Sequence, residues 1–145
     1  MLARCMALSF WLAAFVTSGV HGADIGQIKV SKGSVSVERA GQSLPGNAGT
    51  RLQGADVVKT GADGSVGITM TDNSLLSAGP NSVLALDRYD FDSTTNAGRF
   101  EASLQRGTLA VVSGRLAKQS PEAMTLRTPS ATLGVRGTEF VVSVQ

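Results

Sequence analysis

The sequence predicts an all-β protein: a single domain of short, mostly antiparallel strands in a meandering, rolled or solenoid-like sheet, preceded by a signal peptide. Three observations predict it. Apolar residues after position 24 recur with a period of two, and none holds a helical period for three turns. The 17 glycines in 145 residues are well above the usual ~7%. Turn-forming residues separate each alternating run from the next.

The N-terminus is read first because it changes what remains. Arg4 provides a positive start, Met6 to Val16 is almost wholly apolar, and small residues follow up to Ala23. That order describes a secretory leader over residues 1–22, cleaved after Gly22 or Ala23. The apolar run is shorter than the ~20 residues of a comfortable membrane span. No stable membrane anchor is therefore expected after cleavage. Cys5, Trp11 and His21 all lie in the leader, and they are the only Cys, Trp and His of the chain. Removal of Arg4 lowers the formal net charge from +2 to +1. The remaining charges are scattered singly, so the clustered basic face that nucleic acid requires is absent.

Residues 24–145 form the expected β domain. Ile28 and Val30, then Val35 and Val37, alternate with polar neighbours. The same holds for Val66, Ile68 and Met70, and for Tyr89 and Phe91. It holds again for Phe100, Ala102 and Leu104, for Met124 and Leu126, and for Phe140, Val142 and Val144. Such alternation places one side of a strand on a core and the other in water. Turns are expected at Ala40-Gly41, Pro45-Gly46-Asn47, Gly61 to Gly64, Asp72-Asn73, Gly79-Pro80-Asn81, Asn96-Ala97-Gly98 and Arg106-Gly107. Gly114 to Glu122 reads as a longer loop, exposed from Lys118 onwards. A weak repeat of a turn residue, then Ser or Thr, then a strand recurs at Gly33-Ser34, Gly64-Ser65, Asn81-Ser82, Gly107-Thr108 and Gly137-Thr138. The intervals are unequal, which speaks against a strict solenoid.

This order of turns and strands resembles the FecR-domain family. Residues 54–86, GADVVKTGADGSVGITMTDNSLLSAGPNSVLAL, are similar to the family's "gd.v.Tg..s.v.l.l.DgS.l.l...s.l.l" pattern. Its Asp-Gly-Ser turn corresponds to Asp72, Asn73 and Ser74, with Asn in place of Gly; Asn is the side chain that best tolerates positive φ. Gly107-Thr108-Leu109 resembles the family's "l..G.l" element. Residues 128–140, TPSATLGVRGTEF, resemble its Thr-Pro-x-Ala stretch followed by Arg-Gly-Thr-x-Phe. Thr128, Pro129, Ala131, Arg136, Gly137, Thr138 and Phe140 carry that match. The resemblance implies an extracytoplasmic β domain, stand-alone here. In the family's named regulators a cytoplasmic segment handles a sigma factor. That segment is absent from this sequence, so the resemblance carries over the module and not that mechanism.

Without Cys or His after the leader, Ser-His-Asp and Cys-His catalysis are excluded, and usual zinc sites lose their ligands. No cofactor is expected. Asp87, Asp90 and Asp92 have oxygen ligands for calcium, but alternation with Tyr89 and Phe91 reads as the solvent face of a strand. Carboxylate pairs for glycoside hydrolysis are a weak reading. Arg136 has two readings: a guanidinium offered to an acidic group on a partner, or part of a turn in which Gly137 takes a backbone geometry closed to side chains. The second is preferred. Thr128-Pro129 reads as strand exit and turn.

The expectation is a non-catalytic periplasmic or secreted module that binds or senses through contact with an envelope protein or ligand. Residues 138–145 end the chain on an alternating run without a guarding charge or proline near its end. Val142 and Val144 are the candidate contacts for an added partner strand. The alternatives are a structural envelope component that binds glycan or peptidoglycan, and a part of a sigma-factor system lacking its cytoplasmic piece.

Overall fold

The computed structural model describes residues 23–135 and 139–145. The leader, 1–22, and the triplet Arg136-Gly137-Thr138 lie outside the described residues. The fold is all-β, with twelve strands among the described residues: β1 Asp24–Lys32, β2 Val35–Arg39, β3 Gln42–Pro45, β4 Arg51–Gln53, β5 Val57–Thr60, β6 Ser65–Met70, β7 Leu75–Ala78, β8 Val83–Phe91, β9 Gly98–Val112, β10 Met124–Arg127, β11 Thr132–Gly134 and β12 Glu139–Val144. A five-residue helix, α1 Arg115–Gln119, and a 3-10 turn, Pro121–Ala123, join β9 to β10. Among the described residues, no helix is long and apolar enough to cross a membrane.

The longest strand organises the rest. The first half of β9 pairs with β8 on one side and β10 on the other. Its second half pairs with β7 and β12. One sheet therefore runs β3-β2-β5-β8-β9-β10-β11 and the other β4-β1-β6-β7-β9-β12, with β9 common to both. The curl closes one core, in which Ile28, Leu52, Ile68, Leu84, Phe100, Leu104, Leu109 and Leu126 are almost fully buried. Tyr89 meets Phe100 edge to face, with ring centroids 5.3 Å apart, the geometry their ring quadrupoles favour.

Three expectations are corrected. Val30 does not share the inward side of Ile28: the register shifts between the two residues opposite β6, and Val30 is half exposed. A bulge adds one residue to one strand, and one residue reverses every side chain beyond it. Arg106-Gly107 does not end a strand; it lies within β9, where the chain passes from one sheet to the other. Glycine marks a close backbone approach as readily as a turn. The reading of Gly114 to Glu122 as a loop gives way to α1 and the 3-10 turn, with Leu116 and Ala117 buried. Five residues span barely more than one helical turn, too few to display a 3.6-residue period. That crossover also explains the parallel pairing of β10 with β9 in an otherwise antiparallel structure, because parallel neighbours need a long connection.

Three units of the weak repeat, at Ser34, Asn81-Ser82 and Thr108, are joined in a spatial ladder of turns. Gly61 N–H donates to the Ser34 carbonyl at 2.8 Å, and Asn81 N–H donates to the Gly61 carbonyl at 3.0 Å. The Thr60 hydroxyl accepts from Ser82 N–H at 2.9 Å, and Ser82 Oγ accepts from Thr108 N–H at 3.1 Å. Thr108 and Ser143 hydroxyls close the series at 3.3 Å. These bonds from turn to turn and into β9 and β12 keep backbone groups satisfied where strands change partner.

Candidate functional site

A sheet with free edges is a template for another chain. Among the described residues, β3, β4, β11 and β12 each pair on one side only. Three of these edges are blunted. β3 ends on Pro45, β4 has three residues led by the exposed Arg51, and β11 has three. β12 has six residues, and from Phe140 to Val144 it carries neither charge nor proline. Its inner side chains Phe140, Val142 and Val144 pack partly against the core, while Val141 on the outer side is 64% exposed.

The ground beside this edge is apolar. Leu133, Gly134, Val135, Phe140, Val141 and Val142 line an open groove of about 260 Å3 between β11 and β12. Outward, Val30, Gly67, Ser77, Ala110 and Val141 stand in register across β1, β6, β7, β9 and β12. The neighbouring row is Thr69, Leu75, Val112 and Glu139. That row continues through Gln27 of β1 to Arg51 of β4, so its two charges, Arg51 and Glu139, stand at its ends. The other sheet differs: its outer side sets Arg88 opposite Glu101 and Asp90 opposite Arg99. Cross-strand charge pairs keep a sheet solvated and solitary; the row from Val30 to Val141, which carries no charge, does not.

The conspicuous polar residues elsewhere hold the fold. Asp72 and Ser74 are buried, and Asn73 between them takes φ +67°. Asp72 Oδ1 accepts from Ser74 N–H at 3.0 Å, and its Oδ2 accepts from the Ser74 hydroxyl at 2.8 Å and from Leu116 N–H at 3.2 Å. Ser74 Oγ accepts from Gly114 N–H at 3.0 Å. The turn motif is therefore the latch that receives α1. Asp56, absent from the expected sites, is fully buried and binds Arg39 through two hydrogen bonds of 2.9 and 2.7 Å while accepting Gln53 N–H at 2.8 Å. The hydrogen bond to Asp56 raises the Arg39 pKa above its ordinary value. Asp87 accepts from the Ser103 hydroxyl, Asp90 pairs with Arg88 at 2.8 Å, and Asp92 accepts Thr94 N–H at 2.8 Å. Among the described residues no cluster of acidic side chains is arranged to hold a metal ion. Thr128 closes the β10–β11 turn over Pro129: its N–H donates to the Ala131 carbonyl at 2.8 Å, and its hydroxyl accepts Ala131 N–H at 3.1 Å.

A family model described as FecR protein matches residues 56–145. The chain belongs to the FecR family. No curated protein and no solved structure matches it. The matched FecR segment is a signalling or sensing module, and it opens at Asp56, the buried partner of Arg39. It covers β5 to β12, the middle of the strand order, while β1 to β4 extend both ends. Within the FecR segment the structure places Phe140 and Val142 at the groove and Val144 against the core; Asp72, Asn73 and Ser74 sit at the α1 latch, and Thr128, Pro129 and Ala131 at the β10–β11 turn. The sequence reading missed Leu133 and Val141. Its available signal was an apolar residue on the outward side of a terminal strand.

Tyr89 supplies a pH test of this packing. The side chain is 9% exposed, and its hydroxyl oxygen accepts Asp72 N–H and the Thr71 hydroxyl, both at 2.9 Å. Burial pushes the phenol up from 10.0 to about 12. Between those values the unfolded chain has lost the proton and the folded chain keeps it, so the stabilisation present below pH 10 disappears as pH rises towards 12. About 2 kcal/mol is expected to be lost over that window. Tyrosinate absorbance reads this one tyrosine directly, and Tyr89→Phe flattens the alkaline stability profile measured by urea unfolding.

Proposed function

We propose that this FecR-family chain is a non-catalytic, extracytoplasmic binding or sensing module that works by protein contact, accepting a strand at the free edge of β12. The observation that carries the reading is the contrast between edges: among the described residues the longest edge, free of charge and proline from Phe140 to Val144, borders an apolar groove. Backbone hydrogen bonds would supply affinity, and the groove beside Phe140 and Val142 would supply register. The leader over 1–22 supports delivery outside the cytoplasm. Commitment of the buried carboxylates of Asp56 and Asp72 to hydrogen bonds within the fold supports a role without catalysis. No cofactor enters this reading.

The test compares envelope proteins retained by the wild type with those retained by Val142→Pro and Val144→Lys, each shown to be folded by circular dichroism. Proline removes a donor from one strand edge, and lysine places a charge on the inner side. Selective loss from both variants is expected. Identical capture by all three would refute the edge reading.

A further inference from the structure

The edge of β12 is complementary to itself. We propose that its occupant is a second copy of this chain, bound by antiparallel pairing of β12 with β12 across a two-fold axis at Val142. This rests on the edge reading above and names the partner.

Parity decides which self-pairings are open. Residues opposite one another in an antiparallel pair show their side chains on the same face of the sheet. A two-fold axis normal to the sheet keeps each face on its own side. Self-pairing therefore has to centre on a residue, and a centre between two residues would oppose inner and outer side chains. Two centres leave most of the six residues paired. With Val141 at the centre, Val144 runs past the start of the second copy's β12 and finds no partner in it. With Val142 at the centre, Phe140 meets Val144 of the second copy, Val142 meets Val142, and Val144 meets Phe140. All three partly buried side chains then meet apolar partners and extend the core.

The outer side agrees. In the Val142-centred register Glu139 lies opposite Gln145, so no like charges meet. Val141 lies opposite Ser143, and its diagonal neighbour is Val141 of the second copy. The 64% exposed Val141 thereby gains an apolar neighbour across the axis. The uncharged row from Val30 to Val141 continues from one copy into the other. A heterologous partner would have to supply this alternation; a second copy already carries it. Self-pairing also occupies the strand-accepting edge, so the dimer and any other strand compete for one site.

Sedimentation equilibrium of the full chain, as the cell delivers it, is expected to show a concentration-dependent monomer and dimer. Val142→Pro and Val144→Lys are expected to raise the dissociation constant at least tenfold. Register is read by single cysteines in a Cys5→Ser background. Val142→Cys, a conservative change in size, is expected to form a disulfide dimer under oxidation, because directly opposite Cα atoms lie within disulfide reach. Val141→Cys is expected not to. A wild type that stays monomeric at every concentration overturns the proposal, as does cross-linking through Val141→Cys in place of Val142→Cys. A monomer that still captures envelope proteins through the edge removes only the self-pairing. A monomer whose capture ignores the edge removes the strand-accepting site as well.

Discussion

Gly107→Ala is expected to destabilise the fold by about 3 kcal/mol or more, because two independent penalties meet at one residue. Gly107 has φ +96°, in the region that disfavours side chains. A Cβ there would overlap Ser82 Oγ and lie 2.5 Å from Ser82 Cα and 2.6 Å from Ser82 Cβ. Ser82 is itself fully buried, with its N–H held by Thr60 and its hydroxyl oxygen receiving Thr108 N–H. It has no room to retreat without breaking the ladder of turns. Gly41 is the control. It has φ +78° but nothing within 4 Å of a built Cβ, so Gly41→Ala is expected to cost about 1 kcal/mol from backbone strain alone. The difference between the two in urea unfolding isolates the steric part. An equal loss at both positions would show that β9 does not need close contact with Ser82 where it changes sheets.

Asp72→Ala is expected to cost about 3 kcal/mol, roughly 10 °C in Tm for a domain of this size. The substitution deprives Ser74 N–H, the Ser74 hydroxyl and Leu116 N–H of their acceptor in a site where Asp72 is 2% exposed. A buried donor left unpaired costs about 1–3 kcal/mol, and the Ser74 hydroxyl can turn to lessen one of the three losses. Asp72→Asn keeps one acceptor oxygen and is expected to lose less. The local signature is faster amide exchange at Leu116 and through α1, since the carboxylate accepts an N–H of that helix directly. Coupling between Asp72→Asn and Ser74→Ala in a double-mutant cycle is expected to be strong, as the two share hydrogen bonds. Unchanged exchange at Leu116 would contradict the latch.

These two sites show how differently the parts of the molecule were legible beforehand. The strands around Val66, Phe100 and Leu126 were readable because each has one face on the core and one in water, which writes a period of two into the chain. Asn73 was readable as a positive-φ turn from its residue type. The hydrogen bond from Leu116 to Asp72 joins residues 44 apart, and the pair Arg39–Asp56 joins residues 17 apart. No periodic pattern encodes such pairings, so a buried structural carboxylate and a solvated one look alike in sequence. Val30 was misplaced by a single bulge, and α1 was too short to leave a helical trace.

For the candidate site the balance is similar. The unguarded run from Phe140 to Val144 is a property of composition and was visible without coordinates. That it stands at a free edge, and that Leu133 lies across a groove from it, depends on where the crossover returns β10 and β11.

Residue order alone determined the all-β class, the faces of most strands and the family, because alternation, glycine and turn chemistry act over a few neighbours. The tertiary structure alone decided that β9 serves two sheets, that Asp72 and Asp56 are buried struts, and which edge stays open. Those outcomes come from contacts between segments far apart in the chain, where closing the core selects among pairings that local preference leaves equal.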